Sequence, residues 1–206
     1  MTASETFWDD CCFFIMRQAE ALLPTTYGEF KMIAYAGDPG DPMPNIALVH
    51  SDFNKSEPAV VRIHSECMTG DVFSSRKCDC GEQLHQSLKM IAEGKGILIY
   101  LRQEGRGIGL INKLKAYQLQ EDGLNTIDAN LHLGFQEDER QYSDAVEILR
   151  DLGIKKIRLI TNNPLKILAL EKIGFEITER IPIIVPAQKE SRSYLEVKRD
   201  LMGHLL

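Results

Sequence analysis

Three cysteines carry the chain's most telling spacing. The segment Arg62-Ile-His-Ser-Glu-Cys67 is followed by ten residues and then Cys78-Asp-Cys80. Thiols spaced C-x10-C-x-C can reach one ion if the chain turns back at Met68-Thr-Gly-Asp71. Thiolates are soft donors that suit zinc in a tetrahedral site. Three protein ligands leave one position open, which is how a catalytic zinc holds a water and makes it more acidic. Three thiolates on a divalent ion leave a formal charge of −1, which dampens its Lewis acidity, so such a site needs nearby partners. Two plainer readings stay open from spacing alone. The cysteines could be unligated core residues, or a closed structural site completed by His64 or His85.

Other polar clusters follow. Arg102-Gln-Glu-Gly-Arg-Gly-Ile-Gly109 has glycines that let backbone approach a ligand, and Arg102 or Arg106 can grip phosphate bidentately. It lacks the G-x-x-x-x-G-K-[ST] pattern, and an ordinary strand-to-helix turn would use the same glycines. Asp138-Glu-Arg140-Gln-Tyr142 packs acid and base together, as would a solvated charge run at a helix start. Thr161-Asn-Asn-Pro164 precedes a helix whose free amides, with Lys166 in its first turn, suit an anion; a plain capping turn looks the same. Tyr117 follows Lys113 by one helical turn and alone reads as a half-buried helix tyrosine. His64-Ser-Glu66 matches the H-x-E half of zinc nucleobase deaminases, but their P-C-x-x-C half is missing. Together the clusters suggest a zinc site ringed by phosphate-gripping groups, a hydrolase for a nucleoside polyphosphate.

These residues need elements to position them. Phe30–Ala36, Ile46–His50 and Ala59–His64 read as strands, with a Pro- and Gly-rich loop over Gly37–Pro44. Leu84, Leu88 and Ile91 mark an amphipathic helix over Glu82–Glu93. Gly96–Leu101 is a buried strand, and a glycine turn leads to a helix over Leu110–Gln120. Ser143 can cap a helix that Gly153 stops. Ile157–Ile160 is a strand, Pro164 opens a helix closed by Gly174, and Phe175–Ile184 reads as a strand. Residues 1–20 are a poorly patterned lead with room for a short helix. The expected fold is α/β, leaning to α+β: one domain over 21–206 with a mixed sheet. Its N-terminal part is strand-rich, and strand and helix alternate in the rest.

Composition narrows the function. The 206 residues are 44% hydrophobic and 26% charged, as in soluble globular proteins. The net charge of −6 speaks against general binding to nucleic acid. No run of about 18 apolar residues exists to span a membrane. Glu5, Asp9 and Asp10 sit where a signal peptide would need basic residues. Five cysteines, an odd and clustered count, fit a reducing cytoplasm better than a disulfide framework.

The motifs Arg62 to Asp71, Cys78-Asp-Cys-Gly81, Arg102 to Arg106, Gly134-Phe, Asp138-Glu-Arg140 and Thr161-Asn-Asn-Pro164 resemble, in order and interval, GTP cyclohydrolase II. The resemblance runs from about Leu23 to the Met-Gly-His-Leu205 ending. It implies the first committed step of riboflavin synthesis: GTP loses C8 as formate and also loses pyrophosphate. The product is 2,5-diamino-6-ribosylamino-4(3H)-pyrimidinone 5′-phosphate. It further implies one zinc on Cys67, Cys78 and Cys80, Mg²⁺ with the triphosphate, and a homodimer. GTP contacts carry over to Arg62, Ile63, His64, Ser65, Glu66, Gln83, Glu104, Gly105, Arg106, Thr126, Thr161 and Lys166. Asp138 matches a proton acceptor, Arg140 a nucleophile toward the α-phosphorus, and Tyr117 a tyrosine assisting ring opening. A guanidinium stays protonated in water, so a simpler role for Arg140 is to stabilise charge on the α-phosphate. The length leaves no room for the dihydroxybutanone-phosphate synthase domain that some members carry in front. Cys11 and Cys12 match no ligand position. The alternatives are a relative that keeps the formyl group and a non-catalytic zinc and GTP-binding regulator.

Overall fold

The computed structural model describes residues 15–56, 58–136 and 138–186, together with 203 and 205. Cys11, Cys12, Met202 and His204 lie outside the described residues. The chain forms β1 (Met16–Thr25), β2 (Gly28–Ala36), β3 (Asn45–His50) and β4 (Ala59–Ser65), then the short α1 (Met68–Asp71) and α2 (Cys80–Glu93). β5 (Ile97–Leu101), α3 (Gly109–Glu121), α4 (Thr126–His132), α5 (Ser143–Asp151), β6 (Lys156–Ile160), α6 (Pro164–Lys172) and β7 (Glu176–Ile181) complete it.

All seven strands join one sheet in the order β1-β2-β3-β5-β4-β6-β7. The β1–β2, β2–β3 and β3–β5 pairs are antiparallel, and β5–β4, β4–β6 and β6–β7 are parallel. This is the mixed sheet the sequence leads one to expect. Alternation along the strands feeds two apolar layers. Ile33, Val61, Ile63, Ile99 and Leu159 pack with Val146, Ile148 and Leu149 of α5 and Leu170 of α6. On the opposite face Phe30, Val60, Leu98 and Ile160 meet Leu84, Leu88 and Ile91 of α2.

The topology also points to a site. The chain leaves β4 for β5 on one side and later places β6 on the other. In open parallel sheets a ligand crevice lies beyond the carboxyl ends of strands where the winding reverses. The carboxyl end of β4 is Ser65, directly before Glu66 and Cys67.

The structure departs from the sequence reading in five places. Residues 16–20 are not a loose lead or helix but the start of β1, which runs across residue 20. As an edge strand exposed along most of its length, β1 has no alternation to read. The expected turn at 68–71 is one helical turn, and the sequence reading missed α4. Ser143 is the first residue of α5 and Tyr142 its N-cap, without a side-chain bond. β7 is shorter than Phe175–Ile184.

Candidate active site

The three thiols meet because two glycines let two helices touch. Cys67 ends the segment after β4, and Cys78 and Cys80 flank the start of α2. A Cβ on Gly81 would stand 2.3 Å from the Gly70 carbonyl oxygen, and one on Gly70 would stand 3.0 Å from Cys78 Sγ. No side chain makes the first approach, and the second would force its neighbour to give, so the seat of α1 on the first turn of α2 requires glycine at 81 and is tight at 70. The three Sγ atoms then lie within 4.8 Å of one another, and those of Cys67 and Cys78 are 3.7 Å apart. Sulfurs about 2.3 Å from one ion at tetrahedral corners lie about 3.8 Å apart, so this trio fits a thiolate-bound metal.

Polar bonds fix the corner. Asp71 accepts from the backbone N–H of Cys67 at 3.0 Å, from Tyr100 Oη at 2.9 Å and from His64 Nε2 at 3.0 Å. The His64 ring stacks on Tyr100 with centroids 5.4 Å apart. Burial pushes His64 below its usual pKa, so the neutral ring donates through Nε2. Glu104 accepts from the Met68 amide at 2.6 Å, from the Gly105 amide at 2.6 Å and from Lys113 Nζ at 2.8 Å. Lys113 also donates to Thr69 Oγ1 at 2.9 Å and to Cys67 Sγ at 3.1 Å. Hydrogen bonds from Cys78 and Cys80, aided by the Lys113 charge, hold the Cys67 thiol far below the ordinary range. The bond to Cys67 pushes Cys78 up to about 11.

A cleft of about 550 Å³ opens over the thiols. Its wall contains Ser65, Glu66, Cys67, Cys78, Cys80, Glu104, Gly105, Arg106, Tyr117, Thr126 and Arg140. The turn Glu104–Gly107 is a 3-10 turn whose Gly105 and Arg106 both have φ +63°, left-handed backbone that is costly for arginine. It is held from outside: Glu139 N–H donates to the Arg106 carbonyl at 3.1 Å. Gln103 and Gln141 exchange two side-chain-to-backbone bonds, both 2.8 Å. Arg140 folds back on Asp138 through Nε and Nη2, with its own amide on the same carboxylate. Burial alone would raise the Asp138 carboxyl, but Arg140 holds it below the usual range. Burial pushes the Tyr117 hydroxyl up to about 12, and Lys77 lies 4.7 Å from its ring centre.

The remaining expected residues lie under or behind the wall. Arg62 donates to the Ile160 carbonyl at 3.1 Å and to Gln83 Oε1 at 2.7 Å, and Gln83 continues to Asp79. Burial lowers the Arg62 guanidinium to about 10. Lys166 Nζ donates to the Ile63 carbonyl at 2.8 Å. The Thr161-Asn-Asn-Pro164 turn satisfies its own amides: Asn163 N–H bonds Thr161 Oγ1 and Leu165 N–H bonds Asn163 Oδ1. Arg62 and Lys166 therefore stitch β4, α2, β6 and α6 together, His64 ties β4 to α1, and Thr161 closes its own turn, where the sequence alone suggests ligand contacts. Sequence reasoning missed Thr69, Asp71, Tyr100 and Lys113 as parts of the site. For Lys113 the available signal was its one-turn spacing from Tyr117.

The profile of the GTP cyclohydrolase II family matches residues 16–182. The chain belongs to the GTP cyclohydrolase II family. It is 52% identical over 193 residues to the riboflavin biosynthesis protein RibBA of Bacillus cereus, and 51% identical over 193 residues to that of Chlorobium phaeovibrioides. Each alignment covers 93% of this chain, and 48% and 47% of the relative, so the chain spans about half the length of the curated relatives it matches. A crystal structure of RibBX, a two-domain 3,4-dihydroxy-2-butanone 4-phosphate synthase from A. baumannii, overlays 84% of this chain and 41% of that one. The TM-score is 0.42 and the identity 22%. In GTP cyclohydrolase II terms, the family match takes in every expected site residue from Arg62 to Lys166.

Proposed function

We propose that this chain hydrolyses GTP, opening the imidazole ring at C8. It releases formate and pyrophosphate and leaves 2,5-diamino-6-ribosylamino-4(3H)-pyrimidinone 5′-phosphate, as the first step of riboflavin biosynthesis. The observation that carries this reading is the thiol trio, its sulfurs within 4.8 Å of one another, on the wall of a cleft that also bears Arg106 and Arg140. Cys67, Cys78 and Cys80 would hold one zinc, which when bound supplies a Lewis acid and lowers the pKa of water.

The chain's own groups do the rest. Glycines at the 104–107 turn bring backbone close to the nucleotide, and Arg106 faces the phosphates. Thr126 lines the same cleft. Tyr117 presents a protonated hydroxyl, fit to donate to a nitrogen uncovered as the C8–N bond breaks. A further water then cleaves the formamide, and Asp138, ionised beside Arg140, would accept a proton. Arg140 is pinned to a carboxylate and protonated, which suits a clamp on the α-phosphate rather than a covalent nucleophile. Mg²⁺ with the triphosphate would offset its charge and help pyrophosphate leave. The reading includes a homodimer, as the resemblance implies, and a cytoplasmic protein with no nucleic-acid or membrane partner, on the grounds of its acidic balance, its apolar pattern and its cysteine usage.

The test is one incubation of purified protein with zinc, Mg²⁺ and GTP, following formate, pyrophosphate and the diaminopyrimidinone, with Cys78→Ser as control. All three products, lost in the control, are expected. Pyrophosphate with a retained formyl group would favour the formamide-producing relative. Bound zinc and GTP without turnover would favour a regulator.

A further inference from the structure

Lys113 has no assigned role, yet its ammonium is at the most crowded polar point of the cleft. It is 9% exposed and bonded to three groups: Cys67 Sγ at 3.1 Å, Thr69 Oγ1 at 2.9 Å and Glu104 Oε1 at 2.8 Å. An ammonium has three N–H donors, and all three are spent. None is left to grip a phosphate, so the usual assignment for a lysine in a nucleotide cleft does not fit.

Each partner serves the thiol corner. Cys67 is one of the three sulfurs, and Thr69 sits in the helical turn that follows it. Glu104 holds the Met68 amide, directly after Cys67, and fixes the lysine from the other side. Three thiolates around a divalent ion leave a formal −1 in a partly buried place, where uncompensated charge is expensive. A cation in hydrogen-bond contact with one sulfur offsets that charge. Its N–H also draws on the sulfur lone pair and weakens Cys67 as a donor relative to the other two thiolates.

We propose that Lys113, braced by Glu104, is a positioning residue for the metal. It compensates the charge of the thiolate trio and tunes Cys67 through an N–H···S bond. This rests on the metal-site reading above. It predicts a division of labour: Lys113 governs the metal, and other groups govern GTP affinity.

The test uses the full chain as Lys113→Met, Lys113→Gln and Lys113→Arg. Zinc affinity is measured by competition with a chromophoric chelator, and the sulfur-to-metal absorption band is recorded on the cobalt(II)-loaded protein. Lys113→Met should weaken zinc about ten- to a hundredfold, the usual effect of removing an outer-sphere partner. The cobalt band should shift to longer wavelength, because a sulfur freed of its hydrogen bond gives up electrons more easily. Lys113→Arg should restore most of both, kcat should fall in the Met and Gln variants, and the KM for GTP should hold. If Lys113→Met does not fold, the Gln and Arg variants carry the same contrast. Unchanged zinc affinity and band position would overturn the proposal, as would a raised KM with both metal readouts intact. A wild-type chain that binds no zinc would instead sink the metal-site reading itself.

Discussion

The thiol corner and the Asp138–Arg140 segment face the same cleft but are built in opposite ways. The corner is over-determined. Two glycines in contact, an aspartate with three donors and a lysine with three acceptors leave it one arrangement. The segment lies outside regular secondary structure, joined to the 104–107 turn by the Glu139–Arg106 bond and flanked by the two Gln103–Gln141 bonds. Rigid geometry suits the place where an ion must be gripped. On the proposed reading, a strip held by local bonds suits arginine and aspartate groups that would trade a bond to each other for bonds to a substrate.

Substitutions can break or sharpen this contrast. The largest effect is expected from Gly81→Ala. Its methyl would have to push α1 away from α2, at an overpacking cost of about 1–3 kcal/mol or more, and the sulfurs would part. Zinc per chain and the unfolding midpoint should both drop; full zinc content would show that the glycine contact is not what assembles the corner. Next is Arg140→Ala, expected to cut turnover by about 10²–10³, the scale for losing one charge-stabilising donor, while zinc content stays whole. Partial recovery in Arg140→Lys would support an electrostatic role, and loss of zinc would erase the distinction between the two regions. A smaller effect is expected from Gln103→Ala. It removes the two bonds to Gln141, costing about 1 kcal/mol per bond in denaturant unfolding and loosening the segment.

The mildest effect is on pH. Burial holds His64 below its usual value of 6.5. The unfolded chain therefore binds the extra proton first. The stability from a neutral His64 is fully present above about 6.5 and is lost as pH falls toward the folded value. Urea midpoints should fall between pH 7 and pH 5 in the wild type and fall less in His64→Asn. An equal fall in both would place the sensitivity elsewhere.

Periodicity was enough for β2 to β6, α2 and α5, which bury a clear stripe or run, whereas glycine and proline punctuation marked α3 and α6, and β7, which buries no residue fully, is shorter than its apolar run suggests. Periodicity was not enough for β1, which buries almost nothing, or for α4, which is short and mixed. The thiols were legible because spacing alone limits what three cysteines can do. Lys113 and Asp71 were not, since a lysine mid-helix and an aspartate four residues after a cysteine look like solvated surface until distant chain is folded around them. Arg62 and Lys166 show the converse. Their motifs match the family's, but here each cation spends bonds on protein carbonyls 98 and 103 residues away.

Those separations also bear on the order in which the molecule is made. The Cys67–Cys78 contact closes a span of only 11 residues, whereas the Arg62 and Lys166 bonds close spans of 98 and 103. Closure entropy rises with the logarithm of loop length, and long-range parallel pairing is the slow part of folding such sheets. A nascent chain thus needs little conformational search to bring its sulfurs together, and the walls of the cleft come with the slower search that docks β6 and α6 against β4.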